Sequence, residues 1–178
     1  MTFAELLQNN YIFLDGGMGT MLQARGMQAG ERPELLNLKD PALVEQVQRA
    51  YVEAGSNIIC SNTFGANRTK LTGSGATVQQ VIPAAIQCAR RAAAGKALVA
   101  LDLGPTGQML EPTGSLTFEQ AYDLYAEQVD AGQEADLILI ETMTDLYEIR
   151  AAVLAAKEHG NGKPVIALMT FEHTGRTF

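Results

Sequence analysis

The sequence predicts an α/β fold on a parallel sheet, and three observations point there. Runs at residues 11–15, 57–61, 97–103, 136–141 and 164–170 are apolar nearly throughout, as strands covered on both faces must be. Helical patterns lie between them, which implies right-handed βαβ units. Each run stops in a polar and glycine cluster, and two stop on an acid: Asp15 after Tyr11-Ile12-Phe13-Leu14, and Glu141 after Leu137-Ile138-Leu139-Ile140. A carboxylate at the carboxyl end of a buried strand sits where α/β proteins keep their chemistry.

The helices carry start and stop signals. Asp40-Pro41 supplies an N-cap and first-turn proline, Leu43, Val44, Val47 and Tyr51 form the apolar stripe, and Gly55 ends it. Thr117 with Gln120 has capping-box spacing ahead of Ala121, Leu124, Tyr125 and Val129, with Gly132 as the stop. Asp145 and Glu148 repeat that spacing, followed by a face of Leu146, Ile149, Val153 and Ala156 and by Gly160. In the stretch 77–94, Pro83 would break a helix already under way, so the main helix is expected to start near Pro83. The segment Leu71-Thr72-Gly73-Ser74-Gly75-Ala76 reads as a loop within the domain.

A length of 178 residues allows one domain with a sizeable core, and a formal charge of −7 argues against nucleic acid or an acidic membrane as partner. No run approaches the roughly 20 apolar residues of a membrane span, and the amino terminus lacks signal-peptide character, so a cytoplasmic location is the default expectation. Cys60 and Cys88 are the only cysteines and read as free thiols; Cys88 lies among alanines, while Cys60 ends a strand at the expected pocket mouth. With His159 and His173 they show no zinc-ligand spacing.

The alternation of strand and helix alone leaves an open doubly wound sheet and a (βα)8 barrel as candidates. A dinucleotide site needs G-x-G-x-x-G after the first strand, but Gly16-Gly17-Met18-Gly19-Thr20 lacks that spacing and no Walker lysine follows. Lys70, Lys96, Lys157 and Lys163 fall in no recognisable catalytic motif. An enzyme of another class acting on a small amino acid would require such a base or nucleophile.

Several motifs in order settle the choice by resemblance. Leu14-Asp15-Gly16-Gly17-Met18-Gly19-Thr20, Glu31-Arg32-Pro33-Glu34-Leu35-Leu36-Asn37, Ser61-Asn62-Thr63-Phe64-Gly65-Ala66-Asn67, Asp102-Leu103-Gly104-Pro105-Thr106-Gly107 and Ile140-Glu141-Thr142 occur in the order found in the homocysteine S-methyltransferase family. Within it the chain most resembles the homocysteine-binding N-terminal module of the cobalamin-dependent methionine synthases, over essentially its whole length. The fold this implies is the N-terminal five βα units of a (βα)8 TIM-type barrel, incomplete in residues 1–178. A barrel of this type takes roughly 250 residues, so the chain is expected to be the front portion of a longer protein.

The resemblance also implies a site. Asp15 and Glu141 match the acids that hold the homocysteine ammonium, Gly16 and Gly17 the loop whose backbone N–H groups approach the substrate, and Asn62, Thr63 and Phe64 the second-strand loop lining the pocket. Family members activate the thiol with zinc held by three cysteines beyond the fifth strand, and this chain carries none of those ligands. Methylcobalamin is the methyl donor the resemblance implies, and the partners are homocysteine, the rest of the barrel, and folate- and cobalamin-binding domains.

On the residues alone other readings stay open. Asp15 reads equally as a helix N-cap, Glu141 as the partner of an internal arginine, the glycines as a tight turn, and Phe64 as core. A non-catalytic half-barrel that self-associates or complements a second chain is the alternative to an enzyme.

Overall fold

The computed structural model describes residues 2–9 and 11–177. Its elements in chain order are α1 (Phe3–Leu6), α2 (Met18–Gln23), a 3-10 turn at Pro33–Leu35, α3 (Leu36–Lys39), α4 (Pro41–Glu53), β1 (Ile58–Cys60), α5 (Arg68–Leu71), α6 (Val78–Ala93), β2 (Leu98–Leu103), α7 (Phe118–Ala131), β3 (Leu137–Met143), α8 (Leu146–His159) and β4 (Val165–Met169). The strands form one parallel sheet in the order β1-β2-β3-β4.

Four of the expected strands are present, and the run at 11–15 is reduced to one parallel bridge, Leu14 to Ile58. Phe13 O accepts from the N–H groups of Asn57 and Ile58, and Asp15 N–H donates to Ile58 O. The ladder ends there, and Tyr11 and Phe13 project into solvent.

Strand alternation sorts the core into two layers. Ile59, Val99, Leu101, Leu103, Ile138 and Ile140 pack with α6, α7 and α8. Ile58, Leu98, Ala100, Leu137 and Leu139 face the other way, closed at the amino-terminal end by Leu6 of α1. At the far edge Leu168 of β4 and Leu154 of α8 are 44% and 41% exposed.

The cap signals at Asp40 and Thr117 are realised: Asp40 accepts from Leu43 N–H, and Thr117 and Gln120 complete a capping box. Two expectations are corrected. Helix α6 does not start near Pro83; it begins at Val78 behind a Thr77–Gln80 capping box and runs through the proline. Only the bond to the Gln79 carbonyl is lost, that residue is exposed to water, and burial of Val78, Val81, Ile82, Ala85 and Ile86 holds the helix together.

In α8, Asp145 caps the N–H groups of Tyr147 and Glu148, but Glu148 does not reach back to complete a box. Its Oε1 is buried and accepts from Thr106 N–H at 2.7 Å, Thr106 Oγ1 at 2.6 Å and Tyr125 OH at 3.1 Å. Facing Glu148 inward turns the buried face toward Ala151, Ala152, Ala155 and Ala156, leaving Leu146 exposed. These bonds anchor the loop after β2, and Tyr125 also donates to Gly104 O.

Glu148→Ala would leave the Thr106 N–H buried without an acceptor and strip Thr106 Oγ1 and Tyr125 OH of their charged one, at a cost of about 3 kcal/mol. Thermal unfolding is expected to fall by about 10 °C. A fall under about 2 °C would show that the loop is held by other means.

Candidate functional site

The carboxyl ends of the strands enclose a pocket of about 470 Å³, within the range of small-molecule sites. Asp15, Gly16, Gly17, Asn62, Thr63, Phe64 and Glu141, the seven residues singled out in the sequence, all line it. Glu34, Cys60, Ser61 and Asp102 line it as well.

Asp15 is not an N-cap. Gly17 occupies that position of α2 and makes no side-chain cap, while Asp15 Oδ2 accepts from Cys60 N–H at 2.8 Å. This bond fixes the carboxylate on the end of β1. Burial pushes its carboxyl up, and the hydrogen bonds from Cys60 oppose that rise. Neither Gly16 nor Gly17 has positive φ. Gly16 is needed for close approach, since a Cβ there would stand 3.0 Å from the Tyr51 hydroxyl, which donates to Gly17 O.

Glu141 sits half-buried at the end of β3, with no cationic partner among the described residues; the internal-arginine reading is overturned. Burial raises its carboxyl, and the Asp15 charge adds to the rise. The register with β4 shifts between Ile140 and Met143, and Thr142 takes a left-handed φ of 60°. Such a bulge re-aims the side chains beside it, here at the pocket rim.

The second-strand loop is held by its polar atoms. Asn62 Nδ2 donates to Pro33 O at 2.7 Å, Asn37 Nδ2 donates to Asn62 O at 2.8 Å, and Thr63 Oγ1 donates to Asp102 O at 2.7 Å. Glu34 Oε1 accepts from Gly65 N–H at 2.7 Å. Phe64 stands half-buried in the lining, with Lys70 Nζ 5.4 Å from its ring centroid. A Cβ on Gly104 would meet that ring at 2.6 Å, so only glycine fits beneath it.

Sequence reasoning passed over Asp102 as a site residue. It is 6% exposed, its Oδ1 has no hydrogen-bond partner, and it is the one charge in the six residues of β2. That isolation was the available signal. Burial pushes its carboxyl well above the usual range, and the charges of Glu141, Asp15 and Glu34 push the same way.

Cys60 lies at the pocket mouth, as its place at a strand end suggested. Burial above all, with the charges of Asp15 and Glu141 adding to it, raises its thiol well above the ordinary value, which keeps it protonated and a poor nucleophile or ligand. No His or second Cys lines the pocket, and His173 is exposed beyond β4. Among the described residues no group of three His, Cys, Asp or Glu side chains is placed to hold a metal ion. The residues present therefore do not fit a zinc site, and no chemical step is assigned to one. Cys88 is fully buried between α6 and its neighbours.

The raised Asp102 carboxyl has a stability consequence. Above about pH 4 an unfolded aspartate is ionised, whereas the folded chain retains this proton. Stability from this group is therefore lost as pH rises toward the folded value. Asp102→Asn is expected to raise the melting temperature by an increment that grows as pH rises above about 4; an increment that shrinks as pH rises would contradict the assignment.

Comparisons with known proteins agree with this architecture. The model of the family described as homocysteine S-methyltransferase matches residues 12–178. The methionine synthases of Mycobacterium tuberculosis and Mycobacterium leprae are 32% and 31% identical to the chain, over 96% of it and 16% of their own length. In fold the chain matches the metallated form of the homocysteine methyltransferase MmuM from Escherichia coli, with a TM-score of 0.79 and 23% identity, covering 95% of this chain and 65% of that one. No helix of the described residues is long and apolar enough to cross a membrane. The chain belongs to the homocysteine S-methyltransferase family.

Proposed function

We propose that these residues form the amino-acid-binding portion of a homocysteine S-methyltransferase barrel, and that the ligand is homocysteine on its way to methionine. The observation that carries the reading is the charge of the pocket: Asp15, Glu34, Asp102 and Glu141 line it, and no Lys, Arg or His does. An unpaired carboxylate is costly to bury, so the ammonium of a zwitterionic amino acid is a fitting counterion for Asp15 and Glu141.

The ligand's carboxylate then needs neutral donors rather than a cation. The backbone N–H groups of the Gly16-Gly17-Met18 turn supply them, since Gly17 carries no side-chain cap that would compete. Orientation follows from the two charged ends: acids on β3 and beside β1 hold one, the glycine turn the other, and the side chain of the ligand lies over the pocket floor. Holding a reactant in one pose is the contribution of such a portion to rate.

Methyl transfer belongs, in this reading, to the whole protein. The chain spans 16% of the methionine synthases and 65% of MmuM. Further barrel units, a zinc ion on ligands outside these residues, and folate- and cobalamin-binding domains delivering methyl from methylcobalamin are the parts that family membership adds. The described residues contribute binding and orientation of the acceptor.

Titration calorimetry with L-homocysteine tests the reading. Asp15→Asn and Glu141→Gln are each expected to weaken binding by about 10- to 100-fold, the value of a charge-assisted hydrogen bond. Binding unchanged in both variants would remove the acids from the amine subsite.

A further inference from the structure

Within the pocket one polar group is unexplained by the fold. Asp102 Oδ1 is sealed from solvent and unpartnered, in contrast to Asp15, whose Oδ2 is bonded to Cys60 N–H, and Glu34, whose Oε1 is bonded to Gly65 N–H. The backbone of Asp102 is clamped on both sides, its N–H donating to Ser61 Oγ and its carbonyl accepting from Thr63 Oγ1. So the side chain is held toward the pocket and given nothing to bind there. A buried carboxyl with no partner is a cost unless a ligand removes it.

We infer that Asp102 is a third carboxyl of the amine subsite, protonated while the pocket is empty and giving that proton to solvent when an amino acid's ammonium enters. The groups facing it are Cys60 from β1, Glu141 from β3, Asp15 beside β1 and Glu34 from the 3-10 turn. All are acids or a neutral thiol. Like charges that close disfavour full ionisation, whereas a cation within about 4–6 Å favours it. The arriving ammonium reverses the sign of the field at Asp102: the O–H bond breaks, the proton passes to buffer, and the new carboxylate accepts a hydrogen bond from the ligand nitrogen. Selectivity follows, because a ligand without an amine cannot draw out the proton. This rests on the reading that the pocket takes an amino acid.

The probe is L-methionine, the product of the proposed reaction, whose thioether has no proton to confuse the count. Calorimetry of the full chain in phosphate and in Tris near neutral pH gives the protons exchanged on binding. Net proton release is expected with methionine, and none with 4-(methylthio)butanoate, which lacks the amine. In Asp102→Asn the release is expected to vanish. Should that variant not fold, carboxyl-carbon NMR of the parent chain decides: one aspartate with a raised titration midpoint is expected to shift downward on adding methionine, and an unmoved midpoint would overturn the inference.

Methionine binding without proton release, or release unchanged in Asp102→Asn, would overturn this inference and leave the amino-acid reading intact. Failure of the parent chain to bind either methionine or homocysteine would overturn both.

Discussion

The pocket depends on one constraint, the parity of side chains across parallel strands. Cys60 stands level with Ala100, Ala100 with Leu137, and Asp102 with Leu139, so all lie on the face turned away from the long helices. Glu141, two residues past Leu139, shares that face. Each strand carries its polar residue two positions beyond the level of its neighbour's, and the polar groups climb in steps from β1 to β3. A slip of one residue in any pairing would send a carboxylate into the helix-facing core and bring a branched apolar residue to the pocket.

Loops above the strands are held by side chains rather than by secondary structure. Asn37, Asn62 and Glu34 join the 3-10 turn to the loop after β1, and Glu148 with Tyr125 anchors the loop after β2. Buried polar groups satisfied in this way fix one geometry. The amide nitrogen of Asn62 and the hydroxyl of Thr63 are spent on that task, which leaves the carboxylates and the glycine-turn N–H groups as the parts free to meet a ligand.

Much of this was legible in the sequence, and the misses have physical causes. Buried strands at β2 and β3, and helices opened by Asp40 and Thr117, follow from local chemistry, and the structure keeps them, whereas β4 is partly exposed at the sheet edge. Pro83 misled because a single lost bond at an exposed carbonyl is a small penalty against five buried apolar side chains in the same helix. Glu148 misled because its spacing from Asp145 fits a local cap, while a buried partner in another helix, Tyr125, captures it. The run at 11–15 has strand composition, but Tyr11 and Phe13 lie in solvent and only Leu14 bridges to β1. The seven residues singled out in the sequence, two acids, two glycines and the Asn62-Thr63-Phe64 loop, stand in the quoted motifs, and all of them line the pocket. Asp102 escaped because within a strand it resembles a register marker until its neighbours in space are known.

Asp102 also shows why stability and function need not agree at this site. A buried carboxyl without a partner lowers the stability of the folded chain, and an asparagine of nearly the same shape would relieve the charge. Ordinary core logic would replace it. The surrounding backbone bonds instead hold it in place, and the other three acids worsen its electrostatics rather than easing them. Such a group is frustrated in the empty pocket and satisfied only by a cation of the right size, so the free energy withheld from folding is returned on binding. The acidic lining thereby acts as a filter: an anion is repelled by it, a neutral molecule leaves it frustrated, and an ammonium relieves it.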